Sequence, residues 1–204
     1  EEIIKGHVTL GSLRVRQDYL IAEGLLAPYD DDPQVDRLKA FALARIRQLS
    51  AHEVGHTLGL AHNFAASTQD RASVMDYPHP LVNVVNGEIV FDDAYDTGIG
   101  EWDKVTVAYS YSDFKSDQNE EFELNQILEN SKKQGLRFIS DYDARSVDGS
   151  HAYAHLWDNG GTAYSGLDDV IDIRKIAIDN FSENNVPFGT PNSVLAPFFY
   201  LIFK

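Results

Sequence analysis

Three histidines and one glutamate lie at spacings that suit a metal site. The pattern H-E-x-x-H-x-x-G-x-x-H is formed by His52, Glu53, His56, Gly59 and His62. Residues four apart on a helix lie on one face, so the first two histidines can point at the same spot. Gly59 lets the chain leave the helix in a conformation that is costly for other residues, and the turn brings His62 back. Neutral imidazole binds zinc well, and a catalytic zinc takes three protein ligands and one water. The pattern therefore predicts one catalytic Zn²⁺ held by three histidines.

The glutamate of the pattern suits the hydrolytic chemistry of such a metal. Three neutral histidines leave the full 2+ charge on zinc, which lowers the pKa of a bound water towards 7. Glu53 follows His52 directly, so its carboxylate is expected beside that water. We expect Glu53 to act as the general base and later to pass the proton to the leaving group.

A methionine downstream carries a family resemblance. Met75, the one methionine of the chain, lies 13 residues after His62 in the segment S-V-M-D-Y-P. Together with the histidine pattern it resembles the metzincin clan of zinc endopeptidases, which have a methionine-containing turn after the third histidine. The segments GHVTLGSLRVRQDYL, GLAHNFAAS, SVMDYP and HLWDNG are similar to a family of large bacterial zinc-dependent metalloproteases.

The resemblance implies an activity and two further residue roles. The activity is that of a zinc metallopeptidase, an endopeptidase that cleaves a peptide or protein substrate with a zinc-activated water. Tyr77, two positions after the methionine as in the astacin and serralysin branches, would help zinc to stabilise the tetrahedral oxyanion. Met75 would not bind zinc but would form an apolar floor under the imidazoles. Tyr77 has a simpler interpretation as a turn residue packed against Pro78 and Pro80.

Two other functions stay open at this point. A three-histidine zinc site does not fix the substrate, so a zinc hydrolase of a small amide or ester is one alternative. A non-catalytic, zinc-stabilised binding module is the other. A structural zinc usually has four protein ligands and needs neither Glu53 nor Tyr77, which argues against the binding module. A peptide-length cleft beside a free strand edge would argue against a small substrate.

A long helix is predicted to carry the metal ligands. Asp30–Asp32 followed by Pro33 is a typical helix start, with an acidic N-cap and proline at the first helical position. An apolar stripe that includes Leu38, Ala42 and Ile46 then continues along the same face into the histidines. The helix is expected to run to Gly59. Four basic residues are predicted on its solvated or partner-facing side: Arg37, Lys39, Arg45 and Arg47.

Strands are predicted before this helix and mostly helices after it. Apolar residues alternate through residues 1–26, with residues 19–26 open between strand and helix. Gly6–Leu10 is an ordinary strand or, by the resemblance, an edge strand that pairs with substrate. Asn86-Gly87 predicts a turn followed by a short strand at 88–91. Helices are expected at 101–111, 117–134 and 167–181, and from residue 192 onward.

The predicted fold class is α+β, a helix-rich metzincin-like catalytic domain over residues 1–204. Residues 1–62 would hold a small N-terminal sheet and the zinc helix, and residues 63–204 the methionine turn and a mostly helical C-terminal part. Complete metzincins have more strands before the zinc helix than 32 residues can form, so the sheet is expected to be incomplete.

Two groups of polar residues could support the site or bind another ion. Ligating histidines usually donate their second N–H to an acceptor, and Asp76 is a candidate for that role or a plain turn residue. The segment 141–161 is rich in aspartate, which suits Ca²⁺, although it lacks the EF-hand spacing. The segment is therefore predicted to be a loop, with a second ion, Ca²⁺, as the alternative.

Composition limits the partners. The net charge is −15 over 204 residues, which argues against nucleic acid and anionic membranes as partners, and no apolar run is long enough for membrane insertion. There are no cysteines, which fits a secreted bacterial enzyme as well as a cytosolic one. The chain is expected to be part of a longer protein with further domains, located outside the cytoplasm in the periplasm, at the cell surface or secreted.

Overall fold

The computed structural model describes residues 3–29, 34–148 and 151–203, and it has the predicted helix-rich α+β fold. The helices are α1 (Ser12–Leu26), α2 (Val35–Thr57), α3 (Glu101–Tyr111), α4 (Glu120–Lys133), α5 (Asp141–Ala144), α6 (Ala163–Asp179) and α7 (Leu195–Phe203). The strands β1 (Asn83–Val85) and β2 (Glu88–Val90) form one antiparallel pair. Short 3₁₀ turns cover Ala66–Gln69, Glu183–Asn185 and Asn192–Val194.

The chain divides into two compact units. The motif unit consists of Glu1–Val8, Ser50–His79 and Gly98–Gly166. The second unit consists of Thr9–Leu49, Pro80–Thr97 and Leu167–Lys204. Helix α2 contributes residues 35–49 to the second unit and 50–57 to the motif unit. The boundary at residues 62 and 63, expected from the sequence between the N-terminal and C-terminal parts, stays a prediction.

An apolar core organises the second unit. Leu38 and Phe41 of α2 are buried there, and the Phe41 ring meets Phe91 edge-on at a centroid distance of 4.9 Å. The β1–β2 hairpin supplies Ile89 to the same core. Its turn is the predicted Asn-Gly pair, whose residues both have positive φ (55° and 86°), so the prediction of a turn and a short strand is confirmed.

The predicted N-terminal strands are wrong. Residues 12–26 form α1, and residues 3–11, including the proposed edge strand Gly6–Leu10, have no regular secondary structure. The reason is that the buried residues of α1 include the charged Asp18 and Glu23, so its inner face does not stand out as an apolar pattern. The two strands of the described residues lie after the zinc helix, at 83–90, not before it.

One basic residue of α2 is buried, contrary to the prediction. Arg45 is 3% exposed; its Nε lies 3.8 Å from Asp18 Oδ2, and its guanidinium stacks over the Tyr95 ring at 5.2 Å. Burial raises the pKa of the Asp18 carboxyl, and the Arg45 charge opposes that shift. The long arginine side chain points into the core because the Asp18 carboxylate and the face of the Tyr95 ring stabilise its positive charge there. Lys39 and Arg47 are exposed, as predicted.

Helix α2 confirms the predicted zinc helix from Val35 onward. The proposed start at Asp30–Pro33 lies outside the described residues. No helix among the described residues is long and apolar enough to cross a membrane.

Candidate active site

The last turns of α2 and the turn that follows bring the histidines together. Helix α2 ends at Thr57, and Gly59 takes a left-handed conformation with φ of 82°. The Leu60 N–H donates to the Gly55 carbonyl (3.1 Å), which closes the helix end. Such an end is favourable for glycine and costly for residues with a side chain. His62 consequently returns towards the helix face that carries His52 and His56.

Each imidazole is oriented by a hydrogen bond at Nδ1. His52 Nδ1 lies 2.7 Å from the Val74 carbonyl, and His56 Nδ1 lies 2.9 Å from the Leu60 carbonyl. His62 Nδ1 lies 2.6 Å from Asp141 Oδ2. Carbonyl and carboxylate oxygens accept, so Nδ1 carries a hydrogen in all three rings and Nε2 is the nitrogen left for a metal ion.

The donor set fits a zinc ion. One nitrogen from each of His52, His56 and His62 lies within 4.8 Å of the other two, and the Nε2 atoms of His56 and His62 are 3.1 Å apart. Two nitrogens bound to one tetrahedral zinc at 2.0–2.1 Å would be separated by about 3.3–3.4 Å. Burial lowers the pKa of His52 to about 4, so this ring is neutral at pH 7, as ligation requires.

The acceptor for His62 is a residue that the sequence did not indicate for this role. Asp141 begins the short helix α5, and its second oxygen lies 3.4 Å from Arg145 Nη1. Partial burial raises the pKa of Asp141, but the hydrogen bonds and charges of His62 and Arg145 lower it below its usual value. An ionised carboxylate next to Nδ1 increases the basicity of the imidazole.

Asp76, which the sequence suggested as an acceptor for a ligating histidine, instead stabilises the methionine turn. Its Oδ2 accepts from the Ser67 N–H (3.0 Å) and its Oδ1 from the Tyr77 N–H (2.7 Å). It is 3% exposed and makes no hydrogen bond to a histidine among the described residues. The interpretation of Asp76 as a turn residue is therefore confirmed.

Met75 packs under the zinc helix at a glycine. Its side chain is 2% exposed and belongs to a small apolar cluster with Leu60 and Val74. A Cβ at Gly55, which lies between His52 and His56 in the motif, would overlap the Met75 sulfur. Residue 55 must therefore lack a side chain for this turn of the helix to rest on the methionine.

A buried carboxylate holds the methionine turn from the other side. Asp103, at the third position of α3, is 2% exposed. It accepts from the Ser73 hydroxyl (2.6 Å) and from the Val74 (2.8 Å) and Gly100 (2.7 Å) N–H groups. The Val74 carbonyl in turn accepts from His52, so Asp103 supports the position of that ligand.

Tyr77 lies among the imidazoles. Its ring centroid is 4.6 Å from that of His62 and 5.4 Å from that of His52. The Trp157 indole stacks on the same ring at 5.4 Å with an interplanar angle of 15°. Burial raises the pKa of the Tyr77 phenol, and the nearby charges of Asp141 and Glu53 raise it further while Arg145 lowers it. The phenol is therefore protonated at neutral pH.

Comparison with known families agrees with this geometry. Residues 34–204 match the model of the Met-zincin family. The chain belongs to the Met-zincin family. The metzincin resemblance is thus confirmed, and family and histidine triad together imply zinc binding and a metalloprotease-type fold. No curated protein and no solved structure matches the chain.

Several residues that shape the site in this Met-zincin were not singled out by the sequence. Asp103 had a usable signal, since an acidic residue at the third position of a helix commonly caps it. Gly55 occupies an unspecified position of the motif. Asp141 and Trp157 are far along the chain from His62 and Tyr77, so no local spacing connects them.

Proposed function

We propose that this chain is the catalytic part of a zinc-dependent endopeptidase. His52, His56 and His62 are the zinc ligands, Glu53 is the general base, and Tyr77 stabilises the oxyanion. The observation that carries the proposal is the orientation of the three rings. Each Nδ1 is engaged by an acceptor, so three Nε2 lone pairs are available to one ion beside Glu53 and Tyr77.

When bound, zinc supplies a Lewis acid that polarises a carbonyl and makes water more acidic. The protein keeps its ligands oriented, with each Nε2 left for the ion. The carbonyls of Val74 and Leu60 and the carboxylate of Asp141 hold the hydrogen of each imidazole on Nδ1. The charged acceptor at His62 strengthens that ligand most.

Glu53 moves the proton. It is half-buried and follows His52 on α2, and its negative charge partly offsets the burial that lowers the His52 pKa and adds to the burial that raises the Tyr77 pKa. A carboxylate in this position can take a proton from the attacking water and deliver it to the leaving nitrogen. The same group therefore serves as base and then as acid.

Tyr77 donates a hydrogen bond. Its raised pKa keeps the proton on the phenol oxygen, from which it can be donated to the developing oxyanion. The Trp157 indole lies flat against the ring, and the backbone N–H of Trp157 donates to the Tyr77 backbone carbonyl at 2.9 Å. These two contacts orient the tyrosine.

The number of ligands supports a catalytic zinc over a structural one. Among the described residues, the histidine group that could hold zinc consists of His52, His56 and His62, without a fourth His, Cys, Asp or Glu ligand. Structural zinc sites usually have four protein ligands, whereas catalytic ones keep a position open. The further domains and the extracytoplasmic location that the resemblance implies are part of the same proposal.

Digestion of a mixture of denatured proteins tests the activity. Zinc-loaded protein is incubated with the mixture, with and without a chelator, and new peptide termini are identified by mass spectrometry. We expect internal cleavages that the chelator abolishes and added zinc restores. Chelator-sensitive hydrolysis of small amides or esters without cleavage of any protein would instead establish the small-substrate alternative.

A further inference from the structure

A group of buried oxygens near the methionine turn lacks hydrogen-bond partners. Among the described residues, the Ser67 hydroxyl, both carboxyl oxygens of Asp158 and the Asn159 side-chain oxygen are buried and unpaired. Ser67 as a whole is only 3% exposed. Buried polar atoms are nearly always paired, since an unpaired one loses its hydrogen bonds to water without replacement, and the loss is larger for a charged group. Four such atoms on three residues call for an occupant.

Two carboxyl groups and a hydroxyl meet at this point. The Ser67 N–H donates to Asp76 Oδ2 at 3.0 Å, which fixes Ser67 against Asp76. Burial raises the pKa of Asp76 to about 7, and the charge of Asp158 contributes to the rise. Burial raises the pKa of the Asp158 carboxyl, and the nearby Ser67 hydroxyl opposes that rise, although the hydroxyl itself is left without a well-formed hydrogen bond. Ser67 therefore lies beside both acids.

Neighbouring hydrogen-bond donors stabilise the carboxylate of Asp76 more than that of Asp158. Asp76 accepts two backbone N–H bonds, from Ser67 and Tyr77. Burial raises the pKa of Asp158 despite the opposing effect of the nearby His155, and both Asp158 oxygens lack a well-formed hydrogen bond from the described residues. A cation between the two carboxylates would balance both charges and use the unpaired lone pairs.

The chemistry of the donors selects the cation. All four side chains offer oxygen, either carboxylate, hydroxyl or amide, and none offers sulfur. Calcium prefers six to eight oxygen ligands and tolerates irregular geometry, whereas zinc prefers nitrogen and sulfur. We propose that Ser67, Asp76, Asp158 and Asn159 form a Ca²⁺ site distinct from the zinc site.

The proposed site is narrower than the calcium alternative that the sequence suggested. That alternative covered the whole segment 141–161, from which the structure selects Asp158 and Asn159. It adds Ser67 and Asp76 from the segment around the methionine turn, about 80–90 residues earlier in the chain. Each segment supplies two of the four side chains.

The Ca²⁺ site joins the two segments that carry Tyr77 and Trp157. Tyr77 follows Asp76 directly, and Trp157 precedes Asp158. The Asn159 side-chain amide donates to the His79 carbonyl (2.7 Å), so the segments already run side by side. Trp157 itself has φ of 63°, a left-handed conformation that is strained for a residue with a large side chain. The cation would hold this strained residue against Tyr77.

Direct binding measurement tests the site. Metal-free protein is reloaded with one equivalent of zinc, and Ca²⁺ binding is followed by equilibrium dialysis with radioactive calcium. We expect one Ca²⁺ per chain. Ser67→Ala and Asp158→Asn should each weaken binding by about tenfold or more, because affinity follows ligand number and charge. Asp117→Asn, the same charge change at an exposed residue, should leave binding unchanged.

Fluorescence provides an independent readout. The chain has two tryptophans, and Trp102→Phe leaves Trp157 as the one indole. Added Ca²⁺ should change the Trp157 emission in this variant but not in the same variant carrying Asp158→Asn. The Asp158 carboxyl makes no hydrogen bond to the described residues, so Asp158→Asn should fold, which circular dichroism checks.

Two results would overturn the proposal. One is the absence of saturable Ca²⁺ binding up to about 10 mM, well above the weakest calcium modules; a shared proton or water would then satisfy the acids. The other is unchanged binding in Asp158→Asn. Neither measurement requires catalysis, so the outcome does not depend on the peptidase proposal.

Discussion

Gly55 and Met75 are in direct contact, with the bare Cα of the glycine against the methionine side chain. Gly55 lies one residue before His56 and three after His52, so this contact sets the distance between the zinc helix and the methionine turn. The Val74 carbonyl, next to Met75, accepts the His52 hydrogen bond. The methionine turn therefore fixes both how closely the zinc helix packs against it and which nitrogen of His52 carries the hydrogen.

Gly55→Ala should destabilise the fold and weaken zinc binding. The added methyl group would overlap the Met75 sulfur, and overpacking of this kind typically costs about 1–3 kcal/mol. The measurement is thermal unfolding together with zinc stoichiometry. Gly161→Ala is the matched control, because a Cβ there meets nothing within 4 Å. Equal melting temperatures for the two variants would contradict the contact.

Asp141→Asn should lower zinc affinity by about 10- to 100-fold, as loss of an outer acceptor typically does. An amide oxygen can still accept from His62 Nδ1, but it lacks the charge that makes the imidazole more basic. Competition with a chromophoric chelator measures the affinity. Asp143→Asn, exposed on the same short helix, should bind zinc like the parent. Parental affinity in Asp141→Asn would remove Asp141 from the site.

Glu53→Gln should abolish most peptide hydrolysis while keeping zinc. The amide has the size of the carboxylate but cannot accept the proton from water, so the rate should fall by about 10²-fold or more. Peptide cleavage and zinc content are measured on the same sample. A zinc-loaded variant that cleaves as fast as the parent would exclude Glu53 as the base.

Tyr77→Phe should lower kcat and kcat/KM together with little change in substrate binding. Loss of one donor to an oxyanion costs about 2.7–4 kcal/mol, or roughly 10²–10³ in rate. The phenyl ring retains the stacking on Trp157 and the contact with His62, so the fold should not change. Unchanged kcat would assign Tyr77 to the turn alone.

Calcium-free protein should lose stability as the pH rises through about 7. Burial and Asp158 raise the pKa of Asp76 from 3.8 to about 7 in the folded state. A group with a raised folded pKa contributes stability below its unfolded pKa and loses that contribution as pH passes the folded value. Melting temperatures of the parent and Asp76→Asn are compared from pH 4 to 8. The parent should fall relative to the variant, and parallel curves would contradict the shift.

The sequence alone determined the features that depend on near neighbours. His52, Glu53 and His56 are fixed to one helix face by the 3.6-residue period, and Gly59 provides the left-handed exit that returns His62. The Asn86-Gly87 turn has an equally local cause. Helix α1 was predicted as strand over residues 12–18 and left open between strand and helix over 19–26. Asp18 and Glu23 lie on its buried face, and a buried face that includes charged residues has no clear apolar pattern.

Only the tertiary structure decided which distant residues complete the site. Asp141 orients His62 across 79 residues, and Trp157 stacks on Tyr77 across 80. Arg45 is buried rather than solvated because the Asp18 carboxylate and the face of the Tyr95 ring stabilise its positive charge. Each of these pairings depends on chain segments that meet only after folding. The spacing of residues in the sequence therefore does not show which distant residues will form a hydrogen bond or an ion pair. Local spacing could predict the metal ligands, whereas the groups that orient them follow from packing.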